Sequence, residues 1–224
     1  MRFVIYGAGG IGGTIGARLF QHGHDVLLIA RGAHLAAIKE RGLRFVSATI
    51  DERLPIPAVA HPREANLDEY DVVILCMKSQ HTESALRDLI QSSPSNTPVV
   101  CCQNGVANER MALRRFANVY GMVVLLPAEH LEPGEVVNFA EDSAGVLDAG
   151  RYPNSVDVMI GEVTAALNNS GFSAIADPNI MRQKYAKLLN NLNNAVQAAC
   201  GEGSADIARQ LRKEALTCYA AAGI

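Results

Sequence analysis

Gly7-Ala8-Gly9-Gly10-Ile11-Gly12 follows the short apolar run Met1–Tyr6 with no spacer. Ile15, Ala17, Leu19 and Phe20 then continue at roughly helical spacing. Gly23 closes that helix as a C-terminal cap residue would, and Asp25–Ile29 reads as a second strand. Residues 1–31 are therefore a strand–turn–helix–strand unit. In that context GxGxxG is the dinucleotide fingerprint, because each glycine has a task. Gly7 permits the tight turn, Gly9 lets a pyrophosphate approach the backbone, and Gly12 lets the helix pack close to the sheet. The helix N-terminus adds unpaired N–H groups and about half a unit of positive charge. Gly7, Gly9, Gly10, Ile11 and Gly12 are the candidate cofactor-binding residues of this turn.

The end of the second strand selects the nucleotide. An NAD site of this type usually carries Asp or Glu there, bonding the ribose 2′-hydroxyl. This chain has Ile29-Ala30-Arg31-Gly32, with no acid. Arginine is planar, permanently charged and matched to phosphate, so the expected cofactor is NADP(H); a plain solvated arginine is the alternative.

The 224 residues suffice for one large domain or one and a half ordinary ones, and 49% are hydrophobic, enough for a substantial core. Net charge is −3 with scattered basic residues, which argues against nucleic-acid and membrane partners. No apolar run is long enough to span a bilayer. With Met1 already in the first strand, no signal peptide is expected. The five cysteines (76, 101, 102, 200, 218) are odd in number and lack zinc-type spacing, so no metal site is expected. Reduced, buried thiols in a cytoplasmic protein are the simple reading.

Strand and helix patterns alternate along the chain. His34–Arg41 is a short helix, Gly42–Val46 a third strand, and 47–69 irregular around Pro55, Pro57 and Pro62. Tyr70–Cys76 is a buried strand, Thr82–Ile90 an amphipathic helix, and Pro98–Cys102 the next strand. A helix near Asn108–Phe116 and a strand at Val119–Leu125 follow. This alternation predicts an α/β fold with a right-handed, doubly wound parallel sheet of Rossmann type. Residues 133–138 and 143–147 look strand-only, an antiparallel extension. Ile160-Gly161 begins the last crossover, with Val163–Asn168 helical. From Pro178 the pattern is helical, over Ile180–Ala199 and Ser204–Ala222. The expected division is a dinucleotide-binding domain at 1–177 and the beginning of an all-α domain at 178–224.

In an open α/β sheet, ligands bind beyond the C-terminal strand ends. Met77-Lys78-Ser79 and Gln103-Asn104-Gly105 stand at two such ends. Lys78 could reach a phosphate or the nicotinamide ribose, and Asn104 the ribose or substrate. A solvated lysine and a simple Asn-Gly turn are the alternatives. On the 180–199 helix, Tyr185, Leu188, Leu189, Leu192, Ala195, Val196 and Ala199 make the expected packing face. Lys187, Asn190, Asn191 and Asn194 fall on another face. Asparagine costs up to about 0.7 kcal/mol in a helix interior, and a lysine among amides suits a site that polarises or protonates a carbonyl oxygen. A solvated face is the alternative.

These elements together resemble the ketopantoate reductases (2-dehydropantoate 2-reductases). The resemblance rests on GAGGIG, Leu28-Ile-Ala-Arg31, Cys76-Met-Lys78, Gln103-Asn-Gly-Val106, Glu132-Pro-Gly134 and Lys187-Leu-Leu-Asn-Asn191, in that order. It implies reduction of ketopantoate to pantoate with NADPH, on the route to pantothenate and coenzyme A. By it, Lys78 and Asn104 line the nicotinamide side, Lys187 is the general acid, and Asn191 holds the substrate. The chain departs from the family at Ala195, where a further asparagine is usual; the neighbouring Asn194 points about 100° away around the helix. The family's substrate-binding glutamate lies in a later helical stretch, beyond Ile224. Two other readings stay open: a dehydrogenase for another 2-oxo acid or a phosphorylated polyol, and a non-catalytic NADPH-binding regulator.

Ala208, Leu211, Ala215, Tyr219 and Ala222 repeat at three- and four-residue steps, an apolar stripe needing a partner. The expectation is a fragment of a longer protein, or an oligomer that covers the stripe, with room for a homodimer through the helical domain.

Overall fold

β1 (Arg2–Tyr6) runs into α1 (Gly10–Gln21), β2 (Asp25–Ile29) and α2 (Gly32–Arg41), as the glycine pattern predicts. The computed structural model describes residues 1–141, 143–201 and 204–224. Next come β3 (Leu43–Val46), β4 (Asp51–Leu54), β5 (Ala58–Val59), β6 (Asp71–Leu75), α3 (Thr82–Ile90) and β7 (Val99–Cys101). Then follow α4 (Asn108–Leu113), β8 (Val119–Met122), β9 (Ala128–Glu129), β10 (Glu135–Asn138) and β11 (Ala149–Arg151). The described chain closes with α5 (Val158–Asn169), α6 (Ile180–Cys200) and α7 (Ala205–Ala221).

The main sheet has the order β11-β8-β7-β6-β1-β2-β5. All its pairings are parallel except β11 with β8. Without β11 this is the 3-2-1-4-5-6 order of a Rossmann sheet. Its strands are apolar on both faces because both are covered. Phe3, Ile5, Val26 and Leu28 face α1 and α5, where Ile15, Leu19, Ile160 and Leu167 join one core. Val4, Leu27, Val73 and Leu75 face α3 and α4, with Leu86, Leu89 and Ala112. Each such aliphatic side chain contributes about 1.5–3 kcal/mol on burial. The order reverses between β2 and β6 about β1, which places the crevice for a ligand beyond the C-terminal ends of β1 and β6.

Several expectations change. Residues 43–46 are a strand, but not the third of the Rossmann sheet. They lie in a separate sheet, β4-β3-β10-β9. The reason is in the alternation: Leu43 and Phe45 are buried, while Arg44 points out to bond Asp51 and Glu135. Only one face of β3 is apolar, unlike a central parallel strand. Its place beside β2 is taken by β5, two residues inside the stretch expected to be irregular. Residues 133–138 do extend a sheet, but β10 pairs parallel with β3 and antiparallel with β9. In 143–147 the contacts reduce to single bridges through Val146. The antiparallel edge of the main sheet is β11.

The cysteines also divide: Cys101 and Cys102 are buried, Cys76 is partly covered, and Cys200 and Cys218 are exposed. Those last two lie on α6 and α7, where little covers the helices. On α6 the buried residues are Ile180, Lys184, Leu189 and Val196. Ala195 and Ala199 of the expected packing face are exposed. The helix crosses the ends of β8 and β11 with its first half and runs past the sheet with its second. α7 packs back on α6, with Ala208, Leu211, Ala215 and Tyr219 partly covered. Tyr219 stacks edge-on against Tyr185, centroids 5.2 Å apart. Ala222 of that stripe is exposed.

Candidate functional site

The glycine turn sits at the crevice. Gly7 has φ +103°, which disfavours any side chain, and an added Cβ would stand 2.8 Å from the backbone N of Met77. The ends of β1 and β6 are therefore almost in contact. A Cβ on Gly12 would collide with the Gly7 carbonyl and come within 2.8 Å of Cys76 Cβ, so α1 lies directly on the sheet. A Cβ on Gly10 would meet the Ala128 carbonyl at 2.8 Å. Gly9 differs: in extended conformation at the N-cap of α1, it would meet nothing within 4 Å. The space before the helix is open, and the first-turn N–H groups of Gly10, Ile11 and Gly12 have no intrahelical acceptor. Such an arrangement suits a phosphate.

Around it, Arg31 is the exposed N-cap of α2, its guanidinium donating to the His81 ring at 3.4 Å. Lys78 is exposed just after β6 and makes no side-chain hydrogen bond among the described residues. His34, which the sequence reading did not single out, braces the turn from behind. Its Nε2 donates to the Ala8 carbonyl at 2.7 Å, and its Nδ1 accepts from the Gly134 N–H at 2.9 Å.

A hydrogen-bonded ring fixes the next strand end. Gln103 donates to the Met77 carbonyl at 2.7 Å and to Thr82 Oγ1 at 2.8 Å. Thr82 donates to Asn108 Oδ1 at 2.9 Å, and Asn108 returns a bond to the Asn104 carbonyl at 3.1 Å. The Asn104 side chain is thus left free to face outward. There it accepts a hydrogen bond from Lys187 Nζ at 2.7 Å. Lys187 also donates to the Val124 carbonyl beyond β8. Two residues 83 positions apart are joined across the cleft.

The residues lining this narrow cleft include Asn104, Gly105, Val124, Lys187, Leu188 and Asn191. Burial of Lys187 lowers its pKa from the ordinary lysine value, and the charge of Lys184 lowers it further, against a smaller opposite effect of Cys102. A lysine so placed can give up a proton more readily than a solvated one. Lys187, Asn191 and Asn104 are brought together; Asn190 and Asn194 are exposed outside the cleft. Lys184 itself, buried beneath the cleft, was missed. Its signal was the stripe Ile180, Lys184, Lys187, Leu188, Asn191 at helical steps, which includes the face turned to the sheet.

Residues 3–153 match the family model described as ketopantoate reductase PanE/ApbA. The 2-dehydropantoate 2-reductase of Pyrococcus horikoshii is 32% identical over 194 residues, 85% of this chain and 61% of the relative. That of Archaeoglobus fulgidus is 30% identical over 93% of this chain and 67% of the relative. A crystal structure of a PanE/ApbA family ketopantoate reductase from Ralstonia eutropha JMP134 superposes with TM-score 0.87 at 27% identity, over 100% of this chain and 76% of that one. The ternary structure of D-mandelate dehydrogenase with NADH and anilino(oxo)acetate gives TM-score 0.77 at 27% identity, over 86% of this chain and 62% of that one. The chain thus spans 61% of the length of the Pyrococcus horikoshii relative.

Proposed function

The chain belongs to the ketopantoate reductase family, and from that premise we propose that its protein reduces a 2-oxo acid with NADPH. 2-Dehydropantoate is the proposed substrate and pantoate the product. The observation that carries this reading is the Lys187–Asn104 contact at 2.7 Å, a half-buried ammonium of lowered pKa at the C-terminal edge of a parallel sheet.

The residues present fit the nucleotide. The open space at Gly9 and the free N–H groups of the first turn of α1 suit a pyrophosphate, and Arg31 suits a 2′-phosphate. Lys78 and Asn104 would hold the nicotinamide side. NADPH, when bound, supplies the hydride for the ketone carbon. Lys187 gives its proton to the ketone oxygen, which completes reduction of C=O to CH–OH. Asn104 holds the lysine ammonium at the cleft, and Asn191, on the same helix one turn further, orients the substrate.

The test follows NADPH absorbance with the purified protein and a panel of 2-oxo acids. The expected result is fastest decay with ketopantoate. NADPH binding with no turnover of any 2-oxo acid overturns the enzymatic reading in favour of a non-catalytic binder. Decay only with other 2-oxo acids favours a second reading, a related dehydrogenase, which the likeness to D-mandelate dehydrogenase supports.

The same reading divides the chain at Pro178, with a nucleotide-binding domain at 1–177 and the beginning of a helical domain at 178–224. The thinly covered α7 supports a homodimer through the helical part. No helix among the described residues is long and apolar enough to cross a membrane; a cytoplasmic location is proposed.

A further inference from the structure

Lys184 lies one helical turn before Lys187 on α6, and its side chain is almost wholly buried. A lysine is rarely buried unless its charge is met. Here Nζ lies 2.8 Å from Glu109 Oε1, and the side chains of both residues are inaccessible, 3% and 0% exposed. Three backbone carbonyls complete the shell: Gln103 at 2.8 Å, Met122 at 3.0 Å and Cys101 at 3.4 Å. Glu109 comes from α4; its Oε1 meets Nζ as an ion pair without hydrogen-bond geometry, and its Oε2 has no partner among the described residues. Gly121 on β8 lies against the pair: a Cβ there would come 3.4 Å from both Glu109 Oε1 and Lys184 Cδ.

Packing alone does not explain this arrangement. Buried ion pairs are often no more stabilising than apolar residues of the same volume. What the pair does locally is specific: one ammonium ties together the ends of β7 and β8 and the first residue of the turn that presents Asn104. Asn104 and Val124, reached from those two strand ends, are the two acceptors of Lys187. Every acceptor of Lys187 is therefore seated on backbone that Lys184 holds from inside.

We propose that Lys184, neutralised by Glu109, is a positioning residue for Lys187: it fixes the strand ends and the turn on which the Lys187 ammonium is seated. This rests on the reading of Lys187 as the proton donor. Lys184 also places a like charge beneath that ammonium. The groups that act on Lys187 are Lys184 on its own helix, paired with the Glu109 carboxylate of α4, and the Cys102 thiol just after β7. Its effect and that of burial have the same sign, both favouring release of the proton.

The test measures Lys187 directly, by NMR titration of isotope-labelled lysine side chains assigned with Lys187→Arg, together with the pH profile of turnover. Lys184→Met alone leaves a buried carboxyl unpaired and can fail to fold, so the main variant is the double change Lys184→Met/Glu109→Met. Lys184→Gln is the second, neutral but able to donate to the same carbonyls. In the folded Lys184→Gln variant, which keeps donors for the carbonyls and removes the charge, the Lys187 midpoint should rise on the order of one pH unit. The alkaline limb of the kcat profile should move with it. In the double variant kcat at neutral pH should fall at least about tenfold, while KM for NADPH holds. A double variant that folds and keeps both the kcat and the Lys187 midpoint of the unaltered protein overturns the proposal, because the seat of the Lys187 ammonium would then not depend on Lys184. The titration needs no turnover, so it stands apart from the proposed reaction. A midpoint that moves in the folded double variant of a protein that turns over no 2-oxo acid supports the positioning role and overturns the reductase reading alone.

Discussion

His34 donates from Nε2 to the carbonyl oxygen of Ala8 at 2.7 Å, so the second helix holds the glycine turn from behind. The other ring nitrogen must accept from the Gly134 N–H, which only a neutral imidazole can do. Burial lowers the His34 pKa, and the neighbouring His130 lowers it further, against the raising effect of the Ala8 bond. In a window below the unfolded value of about 6.5 the unfolded chain therefore binds more protons than the folded one. Stability should rise with pH through that window and fall on acidification. His34→Ala should lose about 1–3 kcal/mol, the worth of leaving buried partners unpaired, and should flatten this part of the curve. Thermal melts at several pH values check it; an equally steep acid loss in the variant would refute it.

The glycines separate fold from binding. Gly12→Ala puts a methyl against the Gly7 carbonyl and Cys76, and should cost about 1–3 kcal/mol as overpacking does. Gly9→Ala meets nothing within 4 Å and should leave stability within about 0.5 kcal/mol, while weakening nucleotide binding. Paired melting and NADPH titration curves decide the matter; equal melting losses in both would contradict this geometry.

Arg31 is exposed and holds no carboxylate among the described residues, so its guanidinium is available to a phosphate. Arg31→Ala should weaken NADPH binding by about 1.5–3 kcal/mol, as for a charged hydrogen bond. NADH affinity should hardly move. Equal losses for the two nucleotides, measured by titration, would remove the 2′-phosphate assignment.

For Lys187, replacement by Ala should lower turnover at least about a hundredfold, a typical general-acid loss, with NADPH affinity nearly constant. Because the reaction uses the protonated form, turnover of the unaltered protein should fall as pH rises through the lowered Lys187 pKa. That decline should begin below the ordinary lysine value of about 10.4. A variant with ordinary turnover would dismiss the role.

The unit from Met1 to Arg31 was legible from sequence because its determinants are neighbours in the chain. An apolar strand, a turn that only glycine can make, and a helix with its close-packing glycine all act within a few residues. The absence of an acid at the end of β2 was legible for the same reason. Long-range placement was not. That two half-buried residues, Ala58 and Val59, and not Leu43–Val46, would flank β2 depends on partners far away in the chain: β3 is held in the other sheet by β4 and by β10, about ninety positions on. The contact between Lys187 and Asn104 spans 83 positions, and the acceptors of Lys184 lie 62 to 83 positions away. A lysine on a helix reads as solvated until a carboxylate and three carbonyls arrive from elsewhere. Local sterics write the glycine turn into adjacent residues, whereas the cost of burying a charge is met only by groups that the packed structure brings together.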